Sequence, residues 1–242
     1  MDFNNKVVLV TGANRGIGRA IVNELLKTDV KKIYATSRVL DSLPNFNDQR
    51  VAPIKLDITK PSEIKSVHKD TSDTDILINN AGVASFASLL DGSFESLEKD
   101  MNTNYYGTLN MIREFVPSLK TKESASIVNV VTIGAFVNFP FLGGYCASKS
   151  ALFSLSQGIR IELAQHGISV HTVNPGPIDT DMTKDIEMDK TSPEETAANI
   201  ISELKEGVLD IFPDGGSKEM INVWKKDYRA LEDLVKEMSS AS

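Results

Sequence analysis

The chain has 242 residues, of which 41% are hydrophobic, so it is long enough to form one α/β domain with a large buried core. The formal net charge of −7 argues against a nucleic-acid-binding surface, and the single cysteine, Cys146, excludes an intrachain disulfide. The first apolar run at the N-terminus is too short for a secretory signal or a membrane span, so we expect a cytoplasmic protein with no nucleic-acid or membrane partner.

Short apolar segments alternate along the chain with longer segments of helical periodicity. Continuous runs of Val, Ile and Leu are typical of strands that are covered on both faces, as in a parallel sheet. The predicted strands are Val7–Val10, Ile33–Ala35, Val51–Leu56, Ile76–Ile78, Ile127–Val131, Ser169–Val173 and Leu209–Phe212. This alternation predicts an α/β fold: a single doubly wound parallel sheet of about seven strands, with helices on both faces, in one domain (residues 1–242).

Capping residues and apolar spacing mark the later helices. Between Tyr145 and Gly167, apolar residues recur on one helical face: Leu152, Leu155, Ile159 and Leu163. The sequence Ser-Pro-Glu-Glu from Ser192 is a capping box, which predicts a helix to about Glu206. Residues 217–242 have the spacing of a charged amphipathic helix, and we expect this tail to cover the core or to join an interface.

A glycine-rich turn, TGANRGIG (11–18), follows the first strand and precedes an amphipathic helix. Glycines allow a tight turn and a close approach of the backbone to a ligand, and the N-terminus of the helix offers N–H donors to a pyrophosphate. Tight strand–helix turns also need glycine, so the cluster by itself is a weak signal. Its position after the first strand of an alternating pattern predicts a dinucleotide site.

The end of the second strand predicts which dinucleotide is bound. NAD sites place an acidic residue about twenty residues past the glycines. Here Arg38 follows Ser37 instead, and no acid is adjacent. An arginine offers two parallel donors to the 2′-phosphate of NADP, and Arg15 in the glycine turn could approach the same phosphate. Either arginine alone could be a solvated surface charge, but the two positions together favour NADP over NAD.

Tyr145 and Lys149 lie four residues apart, so both side chains project from one face of a helix. An unperturbed phenol has a pKa of about 10, and a cation about 4 Å away would lower that pKa towards neutral pH, where acid–base catalysis is most effective. The same spacing also suits a half-buried tyrosine beside a solvated lysine, so the pair needs support from other motifs.

Six motifs supply that support: TGANRGIG (11–18), LDIT (56–59), NNAG (79–82), NTNYYG (102–107), YCASK (145–149) and NPGPIDT (174–180). In their order and separations they resemble the short-chain dehydrogenases/reductases, over about residues 5–216. The resemblance implies a Rossmann-like fold and hydride transfer between a nicotinamide and a carbonyl or alcohol. It also implies a homodimer or homotetramer paired through helices at about Asn104–Lys120 and Tyr145–Gln165. Small residues on the second helix would permit close approach: Ala147, Ser148 and Ala151.

The resemblance implies four catalytic residues. Tyr145 corresponds to the proton donor in reduction, and Lys149 to the lysine that holds the nicotinamide ribose and lowers the pKa of the tyrosine. Asn104 corresponds to an asparagine that holds a water in the proton relay. Thr132 stands where the family usually has serine. Its hydroxyl can still orient a carbonyl, but its methyl restricts χ1 and takes space from the pocket, so we expect activity that is retained but reduced or narrowed.

The resemblance also implies the cofactor-binding residues. Asp57 and Ile58 would flank the adenine, the NNAG motif would line the adenine ribose, and the loop at 175–180 would lie beside the nicotinamide carboxamide. The full set is Gly12, Asn14, Arg15, Gly16, Ile17, Gly18, Ser37, Arg38, Asp57, Ile58, Asn80, Ala81, Gly82, Tyr145, Lys149, Pro175, Gly176, Ile178 and Thr180.

Apolar side chains surround the expected substrate side: Phe86, Phe136, Phe139, Phe141, Leu142 and Met182. Each could be ordinary loop packing, but together they predict a small-molecule carbonyl or alcohol of fairly apolar character. The three histidines have no metal-ligand spacing, so no metal is expected.

Two functions fit these residues. The first is an NADPH-dependent carbonyl reductase, and the second is a non-enzymatic NADP-binding sensor on the same fold. A sensor would have a damaged Tyr–Lys–Asn set, whereas here all three residues are present.

Overall fold

The computed structural model describes residues 1–240 and contains one seven-stranded sheet, parallel throughout. Its strands are β1 (Val7–Val10), β2 (Lys32–Ser37), β3 (Val51–Lys55), β4 (Ile76–Asn79), β5 (Ala125–Val130), β6 (Ile168–Val173) and β7 (Asp210–Ile211). The spatial order is β3-β2-β1-β4-β5-β6-β7, so the chain starts in the middle, builds outwards to β3 and returns to place β4 beside β1. The reversal of direction between β1 and β4 leaves a crevice at the carboxyl ends of these strands, where ligands of such sheets bind.

Helices connect the strands and cover both faces of the sheet. Within the described residues they are α1 (Gly16–Leu25), α2 (Pro61–Asp70), α3 (Phe94–Asp100), α4 (Thr108–Leu119), α5 (Gly143–Leu163), α6 (Pro193–Lys205), α7 (Gly215–Lys226) and α8 (Tyr228–Ser240). No helix in this part of the chain is long and apolar enough to cross a membrane.

The continuous apolar character of the strands follows from this covering. Successive strand residues point to opposite faces. Val8 and Val10 of β1 therefore join a core cluster with α1 and α6. Val7 and Leu9 join a second cluster with α2, α4 and α5 on the other face. Because both faces are buried, no position in β1 is left for a polar side chain.

The predicted fold class is confirmed, and the predicted strands occur with their ends shifted by one or two residues. Ser192 caps α6 as predicted, since its hydroxyl accepts a hydrogen bond from the backbone N–H of Glu195, which is one of the two bonds of the predicted capping box. The predicted helix at Asn104–Lys120 differs: a π-helical segment, Met101–Gly107, precedes α4.

The C-terminal tail forms two helices where the apolar spacing predicted one. Asp227 has an extended backbone between α7 and α8, and its carboxylate accepts a hydrogen bond from the backbone N–H of Arg229. The carboxylate thereby satisfies a donor at the start of α8, which ends one helix and begins the next. Residues 241–242 of the predicted tail lie outside the described residues.

Helix α8 covers the core beside the loop that follows β5. Leu231 and Val235 pack with Ile133 and Val137 of that loop and with α7 in a third hydrophobic cluster. The tail therefore packs on the segment between β5 and α5. It covers the core there, which is the first of its two predicted placements.

Replacing Leu231, which is fully buried, with alanine leaves a cavity and should lower the free energy of unfolding by about 2–5 kcal/mol. Urea unfolding followed by circular dichroism measures this loss. Leu234→Ala is the matched control, because Leu234 is only partly buried and should cost less. Equal losses for the two variants would contradict the packing described for α8.

Candidate active site

A cleft of about 470 Å³ opens at the carboxyl ends of the strands, where the fold places its ligand crevice. Most of the residues predicted to bind a cofactor line it: Gly12, Asn14, Arg15, Gly16, Ile17, Gly18, Ser37, Arg38, Asp57, Ile58, Asn80, Ala81, Gly82, Tyr145, Lys149, Pro175 and Thr180. Gly176 and Ile178 do not line the cleft. The backbone N–H of Gly176 donates to the carboxylate of Asp214, and Ile178 is buried and bridges to Thr191.

The glycine turn is packed too tightly for side chains. Gly12 and Gly16 have φ of +66° and +53°, in the left-handed region that favours glycine. A Cβ on Gly12 would stand 2.9 Å from the Cα of Ala81, and one on Gly18 would stand 2.3 Å from the carbonyl oxygen of Gly12. The turn therefore brings bare backbone to the cleft wall.

Two features of the cleft fit a polar, anionic cofactor. The N-cap residue of α1, Arg15, makes no side-chain capping hydrogen bond, which leaves the first N–H groups of the helix available to a phosphate. Thr36, at the end of β2, also lines the cleft, and its buried hydroxyl has no hydrogen-bond partner within the described residues. Buried hydroxyls normally have such a partner, so this group fits contact with a polar ligand.

Both predicted phosphate-binding arginines line the cleft, but their surroundings differ. The Arg15 guanidinium lies 3.0 Å from the carboxylate of Asp181, with both side chains largely exposed. Arg38 is exposed beyond β2 and acts electrostatically on Asp57. Burial raises the pKa of Asp57, but hydrogen bonds from Thr59 and the positive charges of Lys60 and Arg38 outweigh it, so the pKa lies below its ordinary value.

Tyr145 lies in the first turn of α5, beside the end of β5. Burial raises the pKa of Tyr145 above its ordinary value, and a hydrogen bond with the hydroxyl of Thr132 opposes this. The direction is opposite to the one expected from Lys149 alone, because desolvation disfavours the charged phenolate. Within the groups of this chain, Tyr145 therefore keeps its proton at neutral pH.

Lys149 is buried one helical turn further on. Its Nζ donates to the carbonyl oxygen of Val130 at 2.7 Å and lies 5.8 Å from the centre of the Tyr145 ring. Burial lowers the pKa of Lys149 to about 8, and the negative charge of Asp100 opposes this shift. The amine is therefore buried beside the ring of Tyr145, and the alternative of a solvated lysine is wrong.

Asn104 lies in the π-helical segment and is fully buried. Its amide nitrogen donates to the carbonyl oxygen of Val83 and to the hydroxyl of Ser148, both at 2.9 Å, and its amide oxygen accepts from the backbone N–H of Val83 at 2.9 Å. Both amide protons are therefore engaged, and their hydrogen bonds join the π-helical segment to the backbone at Val83 and to α5. π-Helical segments are common at functional sites, and this one turns the amide inward.

Ser148 corrects an expectation about the subunit contact. Its side chain is fully buried between Asn104 and the carbonyl oxygen of Tyr145, so it does not lie on an outer face of α5 with Ala147. Small size in the sequence suggested close helix approach, but the hydroxyl is needed inside.

Thr132 presents its hydroxyl on the same side as the phenol of Tyr145. The hydroxyl donates to the carbonyl oxygen of Pro175 at 3.2 Å and accepts from the backbone N–H of Gly134 at 3.2 Å. The methyl faces the loop, because a Cβ on Gly134 would stand 3.3 Å from it. Packing against the loop thus accommodates the extra methyl.

Five of the six predicted apolar residues divide into two groups, and the sixth, Leu142, is partly buried. Phe136 packs against Phe153, Phe212 and Trp224, and Phe139 packs with it against the cluster under the tail helices, so these two are partly buried against the core. Phe86, Phe141 and Met182 are exposed by 45%, 44% and 38%, and Met182 lines the cleft. Phe86 also has φ of +47°, which is uncommon for a residue with a bulky side chain.

Sequence reasoning did not identify Asp100 and Ser85 beside this site. Asp100 is 1% exposed and accepts a hydrogen bond from the hydroxyl of Ser85 at 2.8 Å. Asp100 sits among charged residues in the segment ESLEKD, and this pattern gives no sign that its side chain is buried. Among the described residues, no three His, Cys, Asp or Glu side chains cluster as metal ligands.

Comparison with known proteins agrees with this geometry. The short chain dehydrogenase family matches residues 6–191. The 3-oxoacyl-[acyl-carrier-protein] reductase FabG of Escherichia coli is 32% identical over 231 residues, which are 92% of this chain and 89% of that protein. The chain therefore belongs to the short-chain dehydrogenases/reductases, oxidoreductases that act on carbonyl and alcohol groups with a nicotinamide cofactor.

Solved structures support the assignment. A short chain dehydrogenase from Burkholderia cenocepacia in complex with NADP superposes with a TM-score of 0.92 at 33% identity, covering 97% of this chain and 99% of that one. A relative from Burkholderia phymatum in complex with NAD superposes with a TM-score of 0.84 at 19% identity, covering 95% and 96%, and shows the fold alone. Both dinucleotides therefore occur on this fold.

The position of Thr132 generates a test of its hydroxyl. Thr132→Ala should lower kcat/KM for carbonyl reduction by about 10²–10³-fold, because it removes a donor to the developing oxyanion. Thr132→Ser should stay within a few-fold of the parent, since the methyl packs against the loop. Steady-state kinetics on one carbonyl substrate compares the two. Similar rates for the alanine and serine variants would show that the hydroxyl takes no part.

Proposed function

We propose that the protein is an NADPH-dependent short-chain reductase that interconverts a carbonyl and an alcohol on a small, fairly apolar molecule. The observation that carries the proposal is the convergence of Thr132, Tyr145 and Lys149 at the end of β5, beside a cleft that two arginines line. An acid–base group and a carbonyl-orienting hydroxyl are thus adjacent to a pocket suited to a dinucleotide phosphate.

The cofactor would be held along the whole cleft. The first turn of α1 would take the pyrophosphate, and Arg38 with Arg15 would take the 2′-phosphate. When bound, the nicotinamide supplies or accepts the hydride and, in its oxidised form, adds positive charge. Arg15 would exchange Asp181 for the phosphate, and this exchange costs little because exposed ion pairs contribute at most about 1 kcal/mol.

Tyr145 would donate the proton to the substrate oxygen during reduction. Its high pKa keeps the phenol protonated until a base is generated, which suits an acid in the reductive direction. Thr132 would turn its hydroxyl proton from the carbonyl oxygen of Pro175 to the same substrate oxygen and so orient the carbonyl. Lys149 would likewise turn from the carbonyl of Val130 to the ribose hydroxyls. Asn104 would hold a relay water through its backbone carbonyl, because its amide protons are already bound.

Phe86, Phe141 and Met182 support an apolar substrate, because they expose hydrophobic surface around the open end of the site.

We further propose a cytoplasmic homodimer or homotetramer that pairs through α4 and α5. Ile161 of α5 is 80% exposed, and Tyr106, just before α4, is 51% exposed, so both offer apolar surface for such pairing.

Replacing Arg38 with aspartate should reverse the cofactor preference. The carboxylate would repel the 2′-phosphate and accept the 2′-hydroxyl of NADH, and the loss of a charge-assisted pair predicts a fall of about 10–100-fold in kcat/KM for NADPH. Parallel assays with NADPH and NADH measure the ratio. Arg19→Asp, an exposed position on α1 away from the cleft, is the control. An unchanged ratio in Arg38→Asp would refute the NADP assignment.

Replacing Tyr145 with phenylalanine separates the enzyme from the sensor. The loss of the proton donor should lower the rate of NADPH oxidation with a carbonyl panel by about 10²–10⁴-fold while NADPH binding is retained. Fluorescence titration of NADPH and its absorbance decay give the two readouts. Tyr228→Phe, at an exposed tyrosine on α8, should leave both unchanged. NADPH binding with no turnover in the parent chain would favour the sensor.

A further inference from the structure

The carboxylate of Asp100 is buried at the end of α3, although the two preceding residues, Glu98 and Lys99, are exposed. Its two oxygens accept from a single residue: Oδ1 from the hydroxyl of Ser85 at 2.8 Å, and Oδ2 from the backbone N–H of Ser85 at 3.4 Å. Burying a charge is unfavourable unless it is paired or strongly hydrogen-bonded, so this position needs a reason.

The same carboxylate lies against the first turn of α5. A Cβ on Gly144 would stand 3.2 Å from Oδ2 of Asp100, and the next residue is Tyr145. No side chain caps this end of α5, a helix of 21 residues, and negative charge is favoured near such an N-terminus. Asp100 therefore lies between residues 83–87, called here the Ser85 segment, and the residues that begin α5.

The Ser85 segment is fastened at three points. Val83 is bound by Asn104, Ser85 by Asp100, and the carbonyl oxygen of Ala87 accepts from the backbone N–H of Gly143. Phe86 stands between the last two, in its left-handed conformation. A backbone held in this region persists only where its surroundings enforce it.

We propose that Asp100 is a positioning residue of the active site, which fixes the Ser85 segment and Phe86 against α5 and holds a negative charge beside Tyr145 and Lys149. The proposal rests on the carbonyl reductase function above and adds to it a group that controls protonation. In reduction the site must keep a proton on Tyr145 and a charge on Lys149, and a nearby carboxylate stabilises both states.

Few titratable groups face Asp100. From α5 they are Tyr145, Cys146 and Lys149, from α3 itself Lys99, and the Ser85 segment contributes only the hydroxyl and N–H groups of Ser85. The charge of Asp100 raises the pKa of each of the three α5 groups. The pKa of Asp100 itself is raised by burial, against the hydrogen bonds from Ser85.

The raised pKa of Asp100 lowers the stability of the folded chain when the carboxyl is ionised. A carboxyl whose pKa is higher in the folded chain than in the unfolded chain destabilises the fold once it is ionised, and the penalty grows as pH rises through the unfolded and folded pKa values. An ionised Asp100 therefore opposes folding, and groups whose pKa is shifted by burial beside charged partners are common at functional sites.

The test is a titration of Lys149 in the full chain labelled with carbon-13 at the lysine ε-carbons. Comparison with Lys149→Arg identifies the Lys149 signal. In the parent the midpoint should lie at about 8, and in Asp100→Asn it should fall by about half a pKa unit or more. Glu98→Gln, which neutralises an exposed acid on the same helix, should leave the midpoint unchanged. An unchanged or higher midpoint in Asp100→Asn would overturn the proposal.

The acidic part of the Lys149 titration in the parent and the KM of Ser85→Ala test the same role independently of Asp100→Asn. If Asp100→Asn does not fold, the parent decides, because its Lys149 signal should show a second, smaller step at acidic pH when Asp100 gains its proton. The absence of that step would count against the proposal. Ser85→Ala keeps the carboxylate of Asp100 and should leave the titration midpoint of Lys149 near 8. It should raise KM, because it removes the hydrogen bond that holds the Ser85 segment to Asp100. A KM equal to that of the parent would overturn the positioning role.

The titration needs no turnover, so it separates the two claims. A parent chain that reduces no carbonyl would refute the proposed function even if Lys149 responds to Asp100. Conversely, an active chain whose Lys149 ignores Asp100→Asn would refute only the role of Asp100.

Discussion

The burial of the first two turns of α5 against the end of β5 and the π-helical segment is the constraint on which the site depends. The side chains of Ser148 and Lys149 are buried there and that of Tyr145 is partly buried, and a buried polar group must find a partner. The partners come from different strands and loops, so their hydrogen bonds join the parts of the site. The chemistry is thus a consequence of satisfying one buried helix end.

Burial also sets the direction of the acid–base balance. Desolvation pushes the pKa of Tyr145 up and that of Lys149 down, so each group moves towards its neutral form. Among the described residues, the carboxylate of Asp100 acts on both groups and favours their protonated forms. The positive charge of an oxidised nicotinamide, which we propose to bind in the cleft, would act on the pKa of the phenol in the direction opposite to Asp100.

Local patterns predicted the fold well, because the strands are apolar on both faces and the turns carry glycine or capping residues. The cofactor cleft was also predictable from its motifs, with Gly176 and Ile178 the exceptions that lie behind its wall. What the sequence could not show were pairings between distant segments. Asp100 reads as one more surface acid and Ser148 as a small residue, yet both are buried by contacts across the fold. The break at Asp227 was missed because apolar spacing continues through it, whereas the backbone follows the cap.

The carboxylate of Asp214 joins two regions that the sequence keeps apart. One of its oxygens accepts from the backbone N–H of Gly176, in the loop predicted to lie beside the nicotinamide, and its side chain also caps α7. Through α7 and α8 this residue links that loop to the hydrophobic cluster under the tail. Residues 214–240 therefore contact the site on two sides, at the backbone of Gly176 and at the segment between β5 and α5. A displacement of α7 would move both contacts together, so the position of this helix and the shape of the cleft wall are coupled.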